Sequence, residues 1–224
     1  MKTYKTDLLD LRCCDCMEMM AEYPDNYFQL AIVDVPYGIG ENGSTNHTRG
    51  KLAVAKNYKS FHGGDMSAPV KDYWEELFRV SKNQIVWGAN HFISRIAIDS
   101  SCWIVWDKLN GESDFADCEL AWTSFKTAVR RFSFRWAGML QGNMAEKEIR
   151  IHPTQKPRAL YDFILHNYAK PGDRILDTHL GSASSAIACH YKGFHLTGAE
   201  LDEDYFDAAI ARVKRETAQQ ELAL

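Results

Sequence analysis

Four consecutive residues, Asp34-Val35-Pro36-Tyr37, offer a carboxylate, a backbone carbonyl, a rigid turn and an aromatic ring. That set suits an exocyclic amine such as the N6 of adenine. Such a nitrogen carries two hydrogens, and its lone pair is drawn into the ring. A site that makes it attack a methyl group should accept both hydrogen bonds. Asp34 can accept one and the Val35 carbonyl the other. Pro36 stiffens the backbone so that the carbonyl stays aimed. Tyr37 can stack on an extruded base. The plainer reading is a proline turn closing a strand beside a surface acid, and the tetrad in isolation favours it.

A second group lies late in the chain. Ile175-Leu176-Asp177 is an apolar run ending in an acid, followed by Thr178-His179-Leu180-Gly181-Ser182-Ala183. Small residues let a backbone approach a ligand closely, and the start of the next helix offers free N–H groups. Glu200 ends the following apolar run, at about the spacing where Rossmann-like folds bind a ribose diol. The turn is not G-x-G-x-x-G, so a dinucleotide enzyme is not favoured. Turn and acid together point to an adenosine-type cofactor as readily as to an ordinary βαβ turn.

Both groups need elements to hold them. Residues 27–33 form a continuous apolar run, as strands buried on both faces do. Further strands are expected over 84–88, 102–107, 120–123, 174–177 and 195–200. Helices are expected over 17–22, 69–80, 157–168, 184–192 and from 203 to about 215, with Pro157 in a first-turn position. Residues 8–12 are a short apolar run. Strands alternating with helices predict an α/β fold, a mainly parallel twisted sheet with helices on both faces. The expected organisation is a single domain over residues 1–224. Residues 41–64 read as a long loop, and about 107–150 as an insertion.

Composition narrows the classes. The chain has 224 residues, 46% hydrophobic and 12% aromatic, which suits a packed core and excludes disorder or low complexity. It has no apolar run long enough for a membrane span, and the residues after Met1 show no secretory pattern, so a cytoplasmic protein is expected. Of six cysteines, Cys13 and Cys16 form a C-x-x-C without a second close pair. Free thiols in a reducing compartment are expected there, and no metal site.

The net charge of −4 is unevenly spread. Residues 126–158 sum to +6 and 47–62 to +4, leaving −14 elsewhere. Local field rather than net charge steers a polyanion. Solvated faces explain such runs equally well. Phe132, Phe134 and Trp136 alternate with Arg131 and Arg135, and core packing is the plainer role for those rings.

Three segments together resemble one family. Asp34-Val35-Pro36-Tyr37 is similar to the D-P-P-Y motif of the DNA amino-methyltransferases, which act on N6 of adenine or N4 of cytosine. Asp177-Thr178-His179-Leu180-Gly181-Ser182 resembles their D-P-F-x-G-S-G cofactor motif. His152-Pro153-Thr154-Gln155-Lys156-Pro157 resembles their H-P-T-Q-K-P segment. The catalytic motif precedes the cofactor motif, which is the circularly permuted order of the β class. The likeness runs from about residue 9 to 212. Val35 stands for the first proline, His179 for the phenylalanine and Ala183 for the second glycine.

The resemblance implies a Rossmann-like, S-adenosylmethionine-dependent methyltransferase acting on a flipped adenine in DNA. Asp34, Val35, Pro36 and Tyr37 would be catalytic. Asp177, Gly181 and Ser182 would surround the methionine part of the cofactor, with Thr154 and Lys156 near its carboxylate. Glu200 would take the ribose hydroxyls, and Asp15 would approach the adenine amine of the cofactor. Aspartate first in the tetrad favours adenine, since N4-cytosine enzymes typically carry serine there. The alternatives are an N4-cytosine enzyme or a methyltransferase of RNA or of a protein amide. On this reading Arg49, Lys51, Lys56, Lys59, Arg130, Arg131 and Arg135 contact phosphates. The short insertion implies a short or relaxed target, and the small size resembles phage or prophage enzymes. A homodimer stays open, and no membrane partner is expected.

Overall fold

The computed structural model describes residues 2–39, 67–96, 98–111, 116–137, 140–145 and 147–218. Arg49, Lys51, Lys56 and Lys59, and the 41–64 loop that carries them, lie outside the described residues. The strands are β1 (Thr3–Lys5), β2 (Leu9–Cys13), β3 (Leu30–Val33), β4 (Gln84–Trp87), β5 (Trp103–Asp107), β6 (Cys118–Thr123), β7 (Arg130–Ser133), β8 (Trp136–Ala137), β9 (Leu140–Gln141), β10 (Arg174–Asp177) and β11 (His195–Glu200). The helices are α1 (Cys16–Ala21), α2 (Lys71–Val80), α3 (Ile93–Ile96), α4 (Arg158–Tyr168), α5 (Ser184–Lys192) and α6 (Glu203–Thr217).

Nine of these strands form one sheet in the order β1-β2-β11-β10-β3-β4-β6-β5-β7. The five central strands, β2, β11, β10, β3 and β4, run parallel. β1 and β6 run against them. β5 pairs antiparallel with β6, so it regains the common direction, and β7 follows it. The chain therefore carries its strand-ending residues to one edge of the sheet, with β1 and β6 as the exceptions: that edge receives their first residues.

Side chains along a strand alternate between the faces, and the two halves of the core follow that rule. Leu30, Ile32, Ile85, Ile175 and Leu196 point to one face, under Leu160, Ile164, Ile187 and Ala209 of α4, α5 and α6. Ala31, Val33, Val86, Leu176 and Ala199 point to the other, under Met20, Tyr73, Leu77 and Ile96 of α1, α2 and α3. Helices thus cover both faces, which is why β3, at the centre of the sheet, is apolar and buried at all four positions.

Local departures from the sequence reading have local causes. The expected strand over 27–33 begins only at Leu30, because Asn26 turns the chain with φ 57° and Phe28 makes a single parallel bridge to Ser81. The apolar run at 8–12 is a full strand, β2, paired with β11 over five residues. Phe132 and Phe134 stack at 5.8 Å, Phe132 meets Phe163 of α4, and Trp136 is buried, so these rings pack as core. Among the described residues no helix is long and apolar enough to cross a membrane.

Candidate active site

The alternation that builds the core also gathers the acids. Asp34 shares parity with Leu30 and Ile32, Asp177 with Ile175, Glu200 with Leu196, and Glu119 with Ala121. All four therefore face the side of the sheet covered by α4, α5 and α6. β3 and β10 are neighbours, with Ile175 opposite Leu30 and Leu176 opposite Ala31. Their tips, one bearing Asp34 and the other Asp177, stand side by side on one edge.

At the β3 tip, Tyr37 donates its hydroxyl to Asp34 Oδ1 at 2.8 Å, and Lys156 Nζ donates to Oδ2 at 2.7 Å. Lys156 also donates to the Tyr37 hydroxyl at 3.2 Å and lies 3.1 Å from Glu119 Oε2. Lys108 holds Glu119 Oε1. Burial pushes the Asp34 carboxyl above its ordinary range, and Glu119 adds to this; Lys156 and Tyr37 pull it back. Burial opposes the Glu119 charge too, but Lys156 and Lys108 prevail and hold that carboxyl at about 2. Burial raises the Tyr37 hydroxyl far up, with Asp34 adding to it, so it stays protonated and donates. The Tyr37 ring stacks on His91 at 5.3 Å. Gly88, at φ 68°, leaves room for it: a Cβ there would sit 2.1 Å from the ring.

At the β10 tip, Asp177 accepts from Ser185 Oγ at 2.6 Å and from the His179 N–H at 3.1 Å. Burial lifts this carboxyl to about 7. The turn that follows is tied to β11: the Leu180 N–H donates to the Ala199 carbonyl at 2.8 Å, and the Gly181 N–H to Glu200 Oε2 at 2.8 Å. Asp202 donates its N–H to the other Glu200 oxygen at 3.0 Å. Glu200 is thus fixed by backbone over the turn. His179 meets the Tyr73 ring edge-on at 5.6 Å, and burial depresses its pKa to about 4, so it is neutral. Ser182 and Ser184 are buried against Arg212, which is 0% exposed. The guanidinium donates to the Ser182 carbonyl at 3.0 Å, to Ser184 Oγ at 2.9 Å and to Glu148 Oε2 at 2.6 Å.

The remaining expected site residues fall into three places. Asp15 caps α1, accepting from the Met17 N–H at 2.7 Å, close enough for its charge to act on His179. Thr154 is exposed and shares a hydrogen bond with His152 Nδ1 at 3.0 Å. Lys156 turns its amine to Asp34, while its carbonyl accepts from Ser184 Oγ at 2.8 Å, so this residue joins the two tips. Val35 is buried among α2 and α3 residues, which leaves its backbone as the part it can offer. Arg130, Arg131 and Arg135 are exposed on or just after the edge strand β7. β7 is four strands from β3, roughly 20 Å at the usual strand spacing, and its C-terminal end lies on the same edge as Asp34.

Sequence reasoning missed Glu119, Lys108, Arg212 and Glu148. Glu119 opens a strand whose reversed direction delivers it to the active edge, and nothing in the local sequence announces that reversal. Arg212 carried one signal: a cation at a helix position flanked by apolar Ala209 and Val213, on the buried stripe of α6.

The arrangement has the parts for an adenosine-type ligand at the β10 tip and an amine at the β3 tip. A family model described as DNA methylase matches residues 116–211. The chain is 22% identical over 240 residues to the type II methyltransferase M.HinfI of Haemophilus influenzae, covering 89% of this chain and 67% of that one. The crystal structure of an M1.HpyAVI–SAM complex superposes with TM-score 0.56 and 20% identity, covering 92% of this chain and 100% of that one. The cytosine-N4-specific PvuII DNA methyltransferase superposes with TM-score 0.61 and 12% identity, covering 96% and 92%. These likenesses show the fold: a Rossmann-like α/β sheet of the kind those methyltransferases have.

Proposed function

We propose that the chain is a DNA methylase of the N6/N4 type, as the match over residues 116–211 supports, and that it transfers a methyl group from S-adenosylmethionine to the N6 amino group of adenine in DNA. One observation carries the reading. Asp34 and Asp177 stand on adjacent strand tips and on the same face, so an amine at one lies beside a ligand at the other.

The β10 tip fits the cofactor on its own evidence. Glu200 keeps acceptor capacity for a diol while two backbone N–H groups hold it in place. Gly181, at φ 52°, has only the His179 carbonyl within 4 Å of a Cβ position among the described residues, which leaves room for a ligand beside the turn. Asp177 is a buried acid that a cationic amino group would stabilise in its ionised form. Asp177, Gly181 and Ser182 would surround the methionine part, Glu200 the ribose and Asp15 the adenine amine. Bound there, S-adenosylmethionine supplies an electrophilic methyl group.

The chain's own residues do the rest by position and field. Asp34 and the Val35 carbonyl accept the two amine hydrogens and localise the nitrogen lone pair, taking it out of conjugation with the ring so that it can attack. Asp34 also stabilises the positive charge that grows on that nitrogen. Tyr37 holds Asp34 Oδ1 and offers its ring to the extruded base. Asp34 as the first residue of the tetrad supports adenine over cytosine. Arg130, Arg131 and Arg135, exposed on or just after β7, would meet phosphates on this reading.

Transfer of labelled methyl groups to duplex DNA, followed by hydrolysis and separation of N6-methyladenine from N4-methylcytosine, tests this. Label on adenine is expected, and Asp34→Ala should lower it at least about a hundredfold while cofactor binding persists. Label on cytosine alone would replace adenine by the N4 reading. Label only on RNA or protein would overturn the DNA substrate.

A further inference from the structure

Lys108, Glu119, Lys156 and Asp34 form a line of alternating charge into the β3 tip, and its geometry is uneven. Lys156 Nζ makes a full hydrogen bond to Asp34 Oδ2 at 2.7 Å. It lies 3.1 Å from Glu119 Oε2, a longer and less well-directed contact than the one to Asp34. Glu119 Oε2 is buried and has no hydrogen-bond donor among the described residues. Lys108 fixes the other oxygen. A buried carboxylate oxygen with a cation alongside and no well-directed donor can still take a stronger bond from that cation.

Asp34, by contrast, already receives two donors, Tyr37 on Oδ1 and Lys156 on Oδ2. The base amine requires an Asp34 oxygen and becomes positive as it is methylated. An ammonium sharing that oxygen opposes the growing charge. We propose that Glu119 is a positioning residue that takes Lys156 over from Asp34 as the base amine docks. The inference rests on the methyltransferase reading above and assigns a role to a residue outside its motifs.

A small swing of Nζ completes the hydrogen bond to Oε2, frees Asp34 Oδ2 and keeps the ammonium paired. No proton moves, and the site stays balanced between two acids and two lysines. The Trp87 and Tyr37 rings, 5.5 and 5.7 Å from Nζ, hold the cation over their faces at the start of that swing. Lys108 keeps Glu119 ionised and in place, so the second acceptor is ready before the amine arrives.

Single-turnover methyl transfer by the unaltered chain, Glu119→Gln, Lys156→Gln and the double variant tests this. Glu119→Gln should slow the transfer step about tenfold, the scale of one charged hydrogen bond, with cofactor affinity unchanged. Adding Lys156→Gln to it should restore part of the rate, because the cation with no second acceptor is gone. A purely structural role predicts the opposite, a double variant slower than either single one, and that result overturns the handover. So does an unchanged rate in Glu119→Gln. If Glu119→Gln does not fold, Glu119→Asp serves: it keeps the charge but withdraws the carboxylate by one methylene, and should be slowed and rescued in the same way. Transfer to cytosine leaves the handover standing, since that amine needs the same oxygen. No transfer to any DNA by the unaltered chain overturns the DNA methyltransferase reading and the handover with it.

Discussion

Ser185 donates its hydroxyl to Asp177 Oδ2 at 2.6 Å, tying the tip of β10 to the first turn of α5. The bond restrains a carboxyl that burial has lifted to about 7. A folded value above the unfolded one means that the folded chain binds more protons between about pH 4 and 7. Asp177 therefore favours folding less as pH rises through that window, by roughly 2–4 kcal/mol, and no further above it. Chemical denaturation of the unaltered chain and of Asp177→Asn across pH 4–8 should show the variant gaining relative stability up to pH 7. A constant difference would refute the assignment. Ligand binding runs the other way. A cationic cofactor group needs the ionised acid, so affinity for S-adenosylmethionine should rise about tenfold from pH 6 to pH 8, measurable by titration calorimetry.

Ala183 begins α5 in the left-handed region, at φ 59° and ψ 28°, and is fully buried. Left-handed backbone costs an alanine about 1–2 kcal/mol. Glycine would remove that cost but lose a buried methyl, worth about 0.8 kcal/mol, and add about 0.4–1 kcal/mol of unfolded-chain entropy. The effects nearly cancel, so Ala183→Gly should leave stability within about 0.5 kcal/mol. Ala183→Val should cost more than about 2 kcal/mol, because a β-branched residue rarely adopts this conformation. Equal denaturation midpoints for glycine and valine would contradict the strain.

Arg212 reaches from α6 to both the cofactor turn and Glu148, whose side chain is 17% exposed. Arg212→Met keeps volume but leaves Glu148 without its cation and the Ser182 carbonyl without this donor. The expected loss is about 3 kcal/mol, or a Tm lower by roughly 6–12 °C for a chain of this size. Adding Glu148→Gln should recover part of it, which calorimetry of the four proteins would show.

Arg131 and Arg135 stand exposed along the β7 edge. If both contact phosphates, replacing them with alanine should weaken DNA binding for every sequence alike. The dependence of log affinity on log salt should become shallower by about 0.9 per lost contact. Fluorescence anisotropy over a salt series reads the slope, and an unchanged slope removes these residues from the interface.

The sequence by itself determined the chemistry at each tip. Asp34 with Pro36 and Tyr37, and Asp177 with its small-residue turn, are local arrangements readable in the sequence, and their proposed roles rest on the ordered set of three motifs that resembles one family. The apolar runs that precede them set the fold class, because a strand covered on both faces must be apolar throughout. Tertiary structure alone decided which tips are neighbours: β10 inserts between β11 and β3, bringing residue 177 beside residue 34, and no local pattern encodes strand order. It also decided where charges lying far apart in the chain meet. Lys156 turns to Asp34 because α4 packs over that face. Glu119 joins them because β6 runs backwards, and strand direction is fixed by how the whole chain closes its sheet.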